Sequence, residues 1–328
     1  MYLRAGPLWR LIKSRCRTAS GVPGAGIDIF LIPVGSLDSP YRNEESTLTK
    51  QTSTPTVLLY ATVDTFNLDR GAVALALSFC EATGSDLTGY LLNLDANVPP
   101  NKDGRSYLQM SAEFDLREAS NNANANQLVD SARQRGIDAQ AVTTINHAHG
   151  ITGCVVDQAR LHDVLVIGCD SSGMLSDRLL AENFLFEIGR PMLVAPTDFA
   201  GEFTCKRIVV AWDNSRVAAR ALADALMLIP GIEEVMLLTI GDEKNVRSSL
   251  DQSATERVLM RRGVAVQSIT KHLNGTTIGE ALQDSAHELN ADLLVMGGYG
   301  HSRLRDFILG GATLSVLAHP RMPVLISH

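Results

Sequence analysis

The residues best suited to chemistry stand in one segment near the end of the chain, GGYGHSRLRDFILGGAT from Gly297 to Thr313, directly after the apolar run Leu293-Leu294-Val295-Met296. Glycines sit at the end of a predicted buried strand and again just before a predicted helix. A strand, a glycine turn and a helix N-terminus together make an anion site. Unpaired backbone N–H groups point outward, the helix dipole favours negative charge, and missing side chains let a phosphate approach. The spacing is Gly297-x-x-Gly300, nine residues, then Gly310-Gly311, with a helix expected to begin at Ala312 or Thr313. Within the nine-residue loop, Arg303 or Arg305 has the chemistry to grip phosphate oxygens, and Asp306 is the alternative surface partner for either. His301 and Ser302 read as ligand contacts or as ordinary loop surface. The segment points to a nucleotide.

The elements that must position this segment recur along the chain. Val57–Thr62 answers Ile208–Asp213, Leu87–Leu92 answers Val235–Ile240, Asp163–Gly168 matches Asp292–Gly297, and Pro191–Pro196 matches Pro323–His328. Helical patterns lie between these runs: Ala218, Ala221, Leu222, Ala225 and Leu226 share one face, as do Ile278, Leu282, Ala286 and Leu289. Continuously apolar strands joined by helices are the signature of a parallel sheet covered on both faces. The expected fold class is therefore α/β, with two tandem doubly wound, Rossmann-like parallel-sheet domains at residues 54–198 and 203–328.

The pattern G-x2-G-x9-G-G, with VVAWDNS at 209–215, DLLVMGGYGHSR at 292–303 and the terminal PVLISH, resembles the universal stress protein family in its tandem form. The resemblance covers about residues 54–328 and is stronger in the second half. It implies an adenine nucleotide alpha hydrolase-like fold, ATP as ligand with or without Mg2+, and a role as a stress-response regulator. By that resemblance Gly297 lies against the ribose, Gly300 and the amides of Gly310 and Gly311 cradle phosphate with Ala312 opening the helix, Asp213 stands beside ribose and adenine, and the Ile240 backbone meets the adenine edge. A carboxylate at the carboxyl end of a strand can accept both hydroxyls of a ribose. Asp213-Asn214-Ser215 also reads as the N-cap of the next helix, and the two roles are compatible. The chain departs from the family at Gly311, where the family motif has Ser or Thr. Thr313 is the candidate replacement hydroxyl, or the glycine admits phosphate by backbone alone. The resemblance also implies that the last strands of the two halves pair, making the chain an intramolecular pseudo-dimer, with a homodimer as a further option.

The first half carries GCDSSGMLSDR from Gly168, with no later glycine pair before Phe184, and Thr62 stands where Asp213 stands. Asp64 takes that role only if the strand end shifts. This half is expected to be a scaffold that binds nucleotide poorly.

At 328 residues, with 45% hydrophobic and 20% charged residues, the chain can bury two ordinary cores. Net charge −7 and 5% aromatics argue against nucleic acid as a partner. No apolar run reaches membrane-spanning length, so no membrane partner and a cytoplasmic location are expected. Cys16, Cys80, Cys154, Cys169 and Cys205 form no C-x-x-C pair and read as small buried hydrophobes in a reducing compartment. Residues 1–53 read as a poorly ordered extension and linker: five basic residues up to Arg17 superficially match a transit peptide, but no apolar region or cleavage site follows.

Three functions compete: an ATP-binding regulator with an unknown protein partner, a nucleotide-free interaction scaffold, and an enzyme. A dinucleotide fold places its glycines after the first strand, and a P-loop requires G-x4-G-K-[ST], which is absent. His147-x-His149 has no third metal ligand nearby. The expectation is a binding protein with no catalytic residues and no resident metal.

Overall fold

The computed structural model describes residues 54–95, 107–147, 151–169, 177–241, 252–273, 275–298 and 311–328. Residues Thr52–His328 make one compact unit. In the first half β1 (Thr56–Thr62), β2 (Asp86–Asp95), β3 (Ala139–His147), β4 (Val164–Gly168) and β5 (Met192–Ala195) alternate with α1 (Gly71–Thr83), α2 (Tyr107–Gln134), α3 (Ile151–Ala159) and α4 (Asp177–Glu187). The second half follows the same order with β6 (Arg207–Ala211), α5 (Arg216–Leu228), β7 (Glu234–Ile240), α6 (Gln252–Met260), β8 (Ala265–Lys271), α7 (Ile278–Glu288), β9 (Leu293–Gly297), α8 (Gly311–Ala318) and β10 (Val324–Ser327).

Among the described residues ten strands join in one sheet of order β3-β2-β1-β4-β5-β10-β9-β6-β7-β8. Within each half the five strands are parallel, by the pairings β1–β2, β1–β4, β2–β3 and β4–β5 and by β6–β7, β6–β9, β7–β8 and β9–β10, while β5 and β10 meet antiparallel. That central seam pairs Val324 with Val194, Leu325 with Leu193 and Ile326 with Met192. Pro191 and Pro323 stand just before the two seam strands, at strand starts, where a missing N–H costs least. The seam is where the resemblance placed contact between the halves, and it makes residues 54–328 share one sheet.

The strand registers explain the burial. Val164–Gly168 is buried throughout, as are Leu293–Met296 and the whole of β10. Side chains alternate between the faces: Leu293 and Val295 join Val210, Ala218 and Leu325 in one core, whereas Leu294 and Met296 join Leu282, Val316 and Ile326 in the other. Each core draws on both halves, and burying one such aliphatic side chain contributes roughly 1.5–3 kcal/mol. The predicted helix faces hold: Ala218, Ala221, Leu222 and Ala225 of α5 are buried, and Leu282 and Ala286 of α7 are buried with Ile278 and Leu289 packed alongside.

Cysteine usage departs from expectation at one place. Cys80, Cys169 and Cys205 are free and buried, but Cys154 on α3 is exposed. Burial pushes the Cys205 thiol up to about 12, and that of Cys80 further, so both stay protonated. Among the described residues no helix is long and apolar enough to cross a membrane, and no three His, Cys, Asp or Glu gather as a metal site. Cys16 and the expected N-terminal extension lie outside the described residues, as does His149.

Candidate functional site

In the second half the chain runs outward on β6, crosses through α5 to β7 and β8, and returns through α7 to β9 on the other side of β6. The sheet order therefore reverses between β6 and β9. At such a switch point the two connections leave in opposite directions and open a crevice at the carboxyl ends of the strands. The β6–β9 ladder stops at Val210–Val295. Beyond it, β6 holds only to β7, through Ala211–Leu238 and Trp212 N–H to Leu238 O at 2.8 Å. β9 holds only to β10, through Gly297–Ser327 and Gly298 N–H to Ser327 O at 2.7 Å. Asp213, just past the end of β6, and Gly297, the last residue of β9, stand on the two banks of this gap.

Local hydrogen bonds fix the Asp213 bank. Ser215, not Asp213, caps α5: its side chain accepts the Ala218 N–H at 3.2 Å. Asp213 Oδ1 accepts the Ser215 N–H at 2.9 Å, closing an Asx turn. The capping alternative thus belongs to Ser215, because Asn214 in between adopts a left-handed conformation (φ 58°) that sets Ser215 at the helix start. The indole N–H of Trp212 donates to Asn214 Oδ1 at 2.9 Å, and Thr239 donates to the Trp212 carbonyl at 2.8 Å. Asp213 is half-buried, and a carboxylate accepts several hydrogen bonds, so bracing the turn is compatible with receiving a ribose. Ile240 is buried at the end of β7.

The Gly297 bank is held by packing. A Cβ on Gly297 would stand 2.6 Å from Val217 Cγ2 and 2.7 Å from both Val217 C and Ala218 N, so glycine is needed for the first turn of α5 to lie against β9. A Cβ on Gly298 would stand 2.7 Å from Leu185 Cδ2 of α4. Neither requirement was legible in the motif, which counts Gly298 as a variable position.

Helix α8 begins at Gly311, one residue before the earliest start expected. A Cβ on Gly311 would meet nothing within 4 Å, and Gly311 is exposed. The hydroxyl side chain of the family motif would fit there, so its absence is not forced by packing. Ala312 is half-buried and Thr313 is buried, 3% exposed, facing inward from the first turn. Gly300, His301, Ser302, Arg303, Arg305, Asp306 and Gly310 lie outside the described residues.

The first half differs at the corresponding places. Val57 pairs with Val164 as Ile208 pairs with Leu293, so Thr62 occupies the register of Asp213. Thr62 is buried and its N–H donates to Thr65 Oγ1 at 3.0 Å. Asp64 is gripped by both terminal nitrogens of Arg117 on α2, at 3.1 and 2.7 Å, which raises the Arg117 pKa further. Asp64 thus braces α2.

Residues 204–328 match the model of the universal stress protein family. A universal stress protein of Synechocystis sp. is 26% identical over 208 residues, covering 60% of this chain and 68% of the relative. The crystal structure of a universal stress protein from Archaeoglobus fulgidus is similar with a TM-score of 0.61 and 16% identity, over 83% of this chain and 95% of that one, a likeness of fold. A universal stress protein from Archaeoglobus fulgidus in complex with dAMP aligns over 43% of this chain and 97% of its own, at 15% identity and a TM-score of 0.27. Residues 204–328 thus carry a universal stress protein domain by the matched model, and residues 54–328 share the fold of a universal stress protein.

Proposed function

We propose that the second half binds one adenine nucleotide, ATP with or without Mg2+, and that occupancy biases a conformation or a partner surface in a stress response. The observation that carries this reading is the β6–β9 switch point, where the ladder between the two strands ends with Asp213 following β6 and Gly297 ending β9, and where α8 opens on an uncrowded glycine. The carboxylate suits a ribose, and the exposed start of α8 suits phosphate. The described residues offer no cage of acidic or imidazole ligands, so a Mg2+ ion would be held chiefly by phosphate oxygens. On this reading residues 54–198 and 203–328 are two units of a tandem pseudo-dimer, the first a scaffold, and the protein binds rather than catalyses.

A second reading, a nucleotide-free scaffold, is favoured by one observation: packing alone explains why positions 297 and 298 are glycine. Heat release of ligand from purified protein separates the two. Adenine nucleotide recovered by mass at up to one per chain supports binding, and no uptake after incubation with millimolar ATP refutes it.

A further inference from the structure

We propose that α4 of the first half is a positioning element for the nucleotide site of the second half, with Leu185 setting where the chain leaves β9 for Gly300. The inference rests on the nucleotide reading above.

Gly298 is pinned from two sides. Its N–H is held by Ser327 O of β10 at 2.7 Å, and the space where its Cβ would be is filled by Leu185, with Cδ2 at 2.7 Å and Cδ1 and Cγ at 3.2 Å. Leu185 is 2% exposed and set in a core with Phe184 and Ile188, so it can yield to a Cβ on Gly298 only by displacing its own packing. The next residue, Phe186, packs edge-on against His328 with ring centroids 5.3 Å apart. Helix α4 therefore touches the outgoing ends of both β9 and β10, at the level of Gly297 and two residues in sequence before Gly300.

The arrangement is one-sided. Leu185 lies seven residues before β5, and Leu317 lies seven residues before β10. The residue that follows β4 as Gly298 follows β9 is Cys169, buried and carrying a side chain. The glycine that accepts a neighbour's leucine occurs only in the half that keeps the glycine motif. A scaffold half that merely covered an edge strand would need no such match.

A mutant cycle tests this, with ATP affinity measured by calorimetry on the full chain. Leu185→Ala leaves Gly298 unsupported and Gly298→Ala forces its Cβ onto Leu185, and each is expected to weaken ATP by roughly tenfold, the scale of coupling between touching residues. In the double variant the new methyl occupies the vacated space, and affinity should return to within about threefold of the parent. Phe184→Leu, which loosens the Tyr60–Phe184 ring pair elsewhere on the same helix, should lower the melting temperature and leave ATP affinity unchanged. Leu185→Val serves if Leu185→Ala does not fold. Parent-like affinity in both single variants, or losses that simply add in the double variant, would overturn the proposal while leaving the nucleotide site standing. Failure of the parent itself to bind ATP would overturn both.

Discussion

The three described glycines of the segment, Gly297, Gly298 and Gly311, make a graded prediction, because an added methyl meets a different obstacle at each. At Gly297 two of the three atoms within 2.7 Å belong to the backbone of α5, which cannot rotate away as a side chain can. Ordinary carbon contacts lie near 3.5–4 Å, so α5 must retreat by about 1 Å, and overpacking of this kind costs roughly 1–3 kcal/mol. The retreat also carries away the Ser215 cap and the Asx turn of Asp213, so nucleotide affinity should fall with stability. At Gly298 the obstacle is a buried but deformable leucine, and the stability cost should be smaller. At Gly311 there is no obstacle, and alanine in the first turn of α8 should be neutral or stabilising by up to about 1 kcal/mol, since glycine is the poorer helix former. Urea unfolding of the three alanine variants, read as midpoint shifts at unchanged slope, measures the series. A Gly297→Ala protein as stable as the parent, or Gly311→Ala less stable than Gly297→Ala, would refute the close approach of β9 and α5.

Two other outcomes follow from chemistry outside the site. A maleimide should label Cys154 rapidly under native conditions and leave Cys80, Cys169 and Cys205 unmodified until unfolding, as mass spectrometry of peptides would record. Glu280 accepts the backbone N–H and the hydroxyl of Thr277, both at 2.9 Å, and these bonds hold its carboxyl below the ordinary value of 4.5. A carboxyl depressed on folding contributes stability that is present above the unfolded value and lost as pH falls through the folded one. Glu280→Gln should therefore flatten the acid limb of the stability profile below about pH 4.5, and an unchanged acid limb would contradict the capping box.

The fold was legible because its signals are local and repeated. Runs such as Leu293–Met296 are apolar at every position, which only a strand covered on both faces requires, and the helix faces of α5 and α7 follow the 3.6-residue period. The place of Asp213 at the carboxyl end of a strand, and the register of Thr62 against it, were visible as aligned runs, whereas the switch point beside Asp213 emerges only from the strand order. What was hidden depends on distance in space. Nothing in the sequence tells that Gly298 meets Leu185, more than a hundred residues earlier, or that Arg117 has claimed Asp64. The exposed Cys154 escaped notice because composition reports how cysteines usually pack, whereas exposure depends on which way α3 is turned.

Titration calorimetry of ATP into the full chain, with Asp213→Ala and Gly300→Asp alongside, tests the central claim most directly. The account predicts one site per chain, weakened by loss of the Asp213 carboxylate and abolished when a carboxylate replaces the glycine of the phosphate turn. No heat of binding at millimolar ATP, or two equal sites per chain, would contradict it.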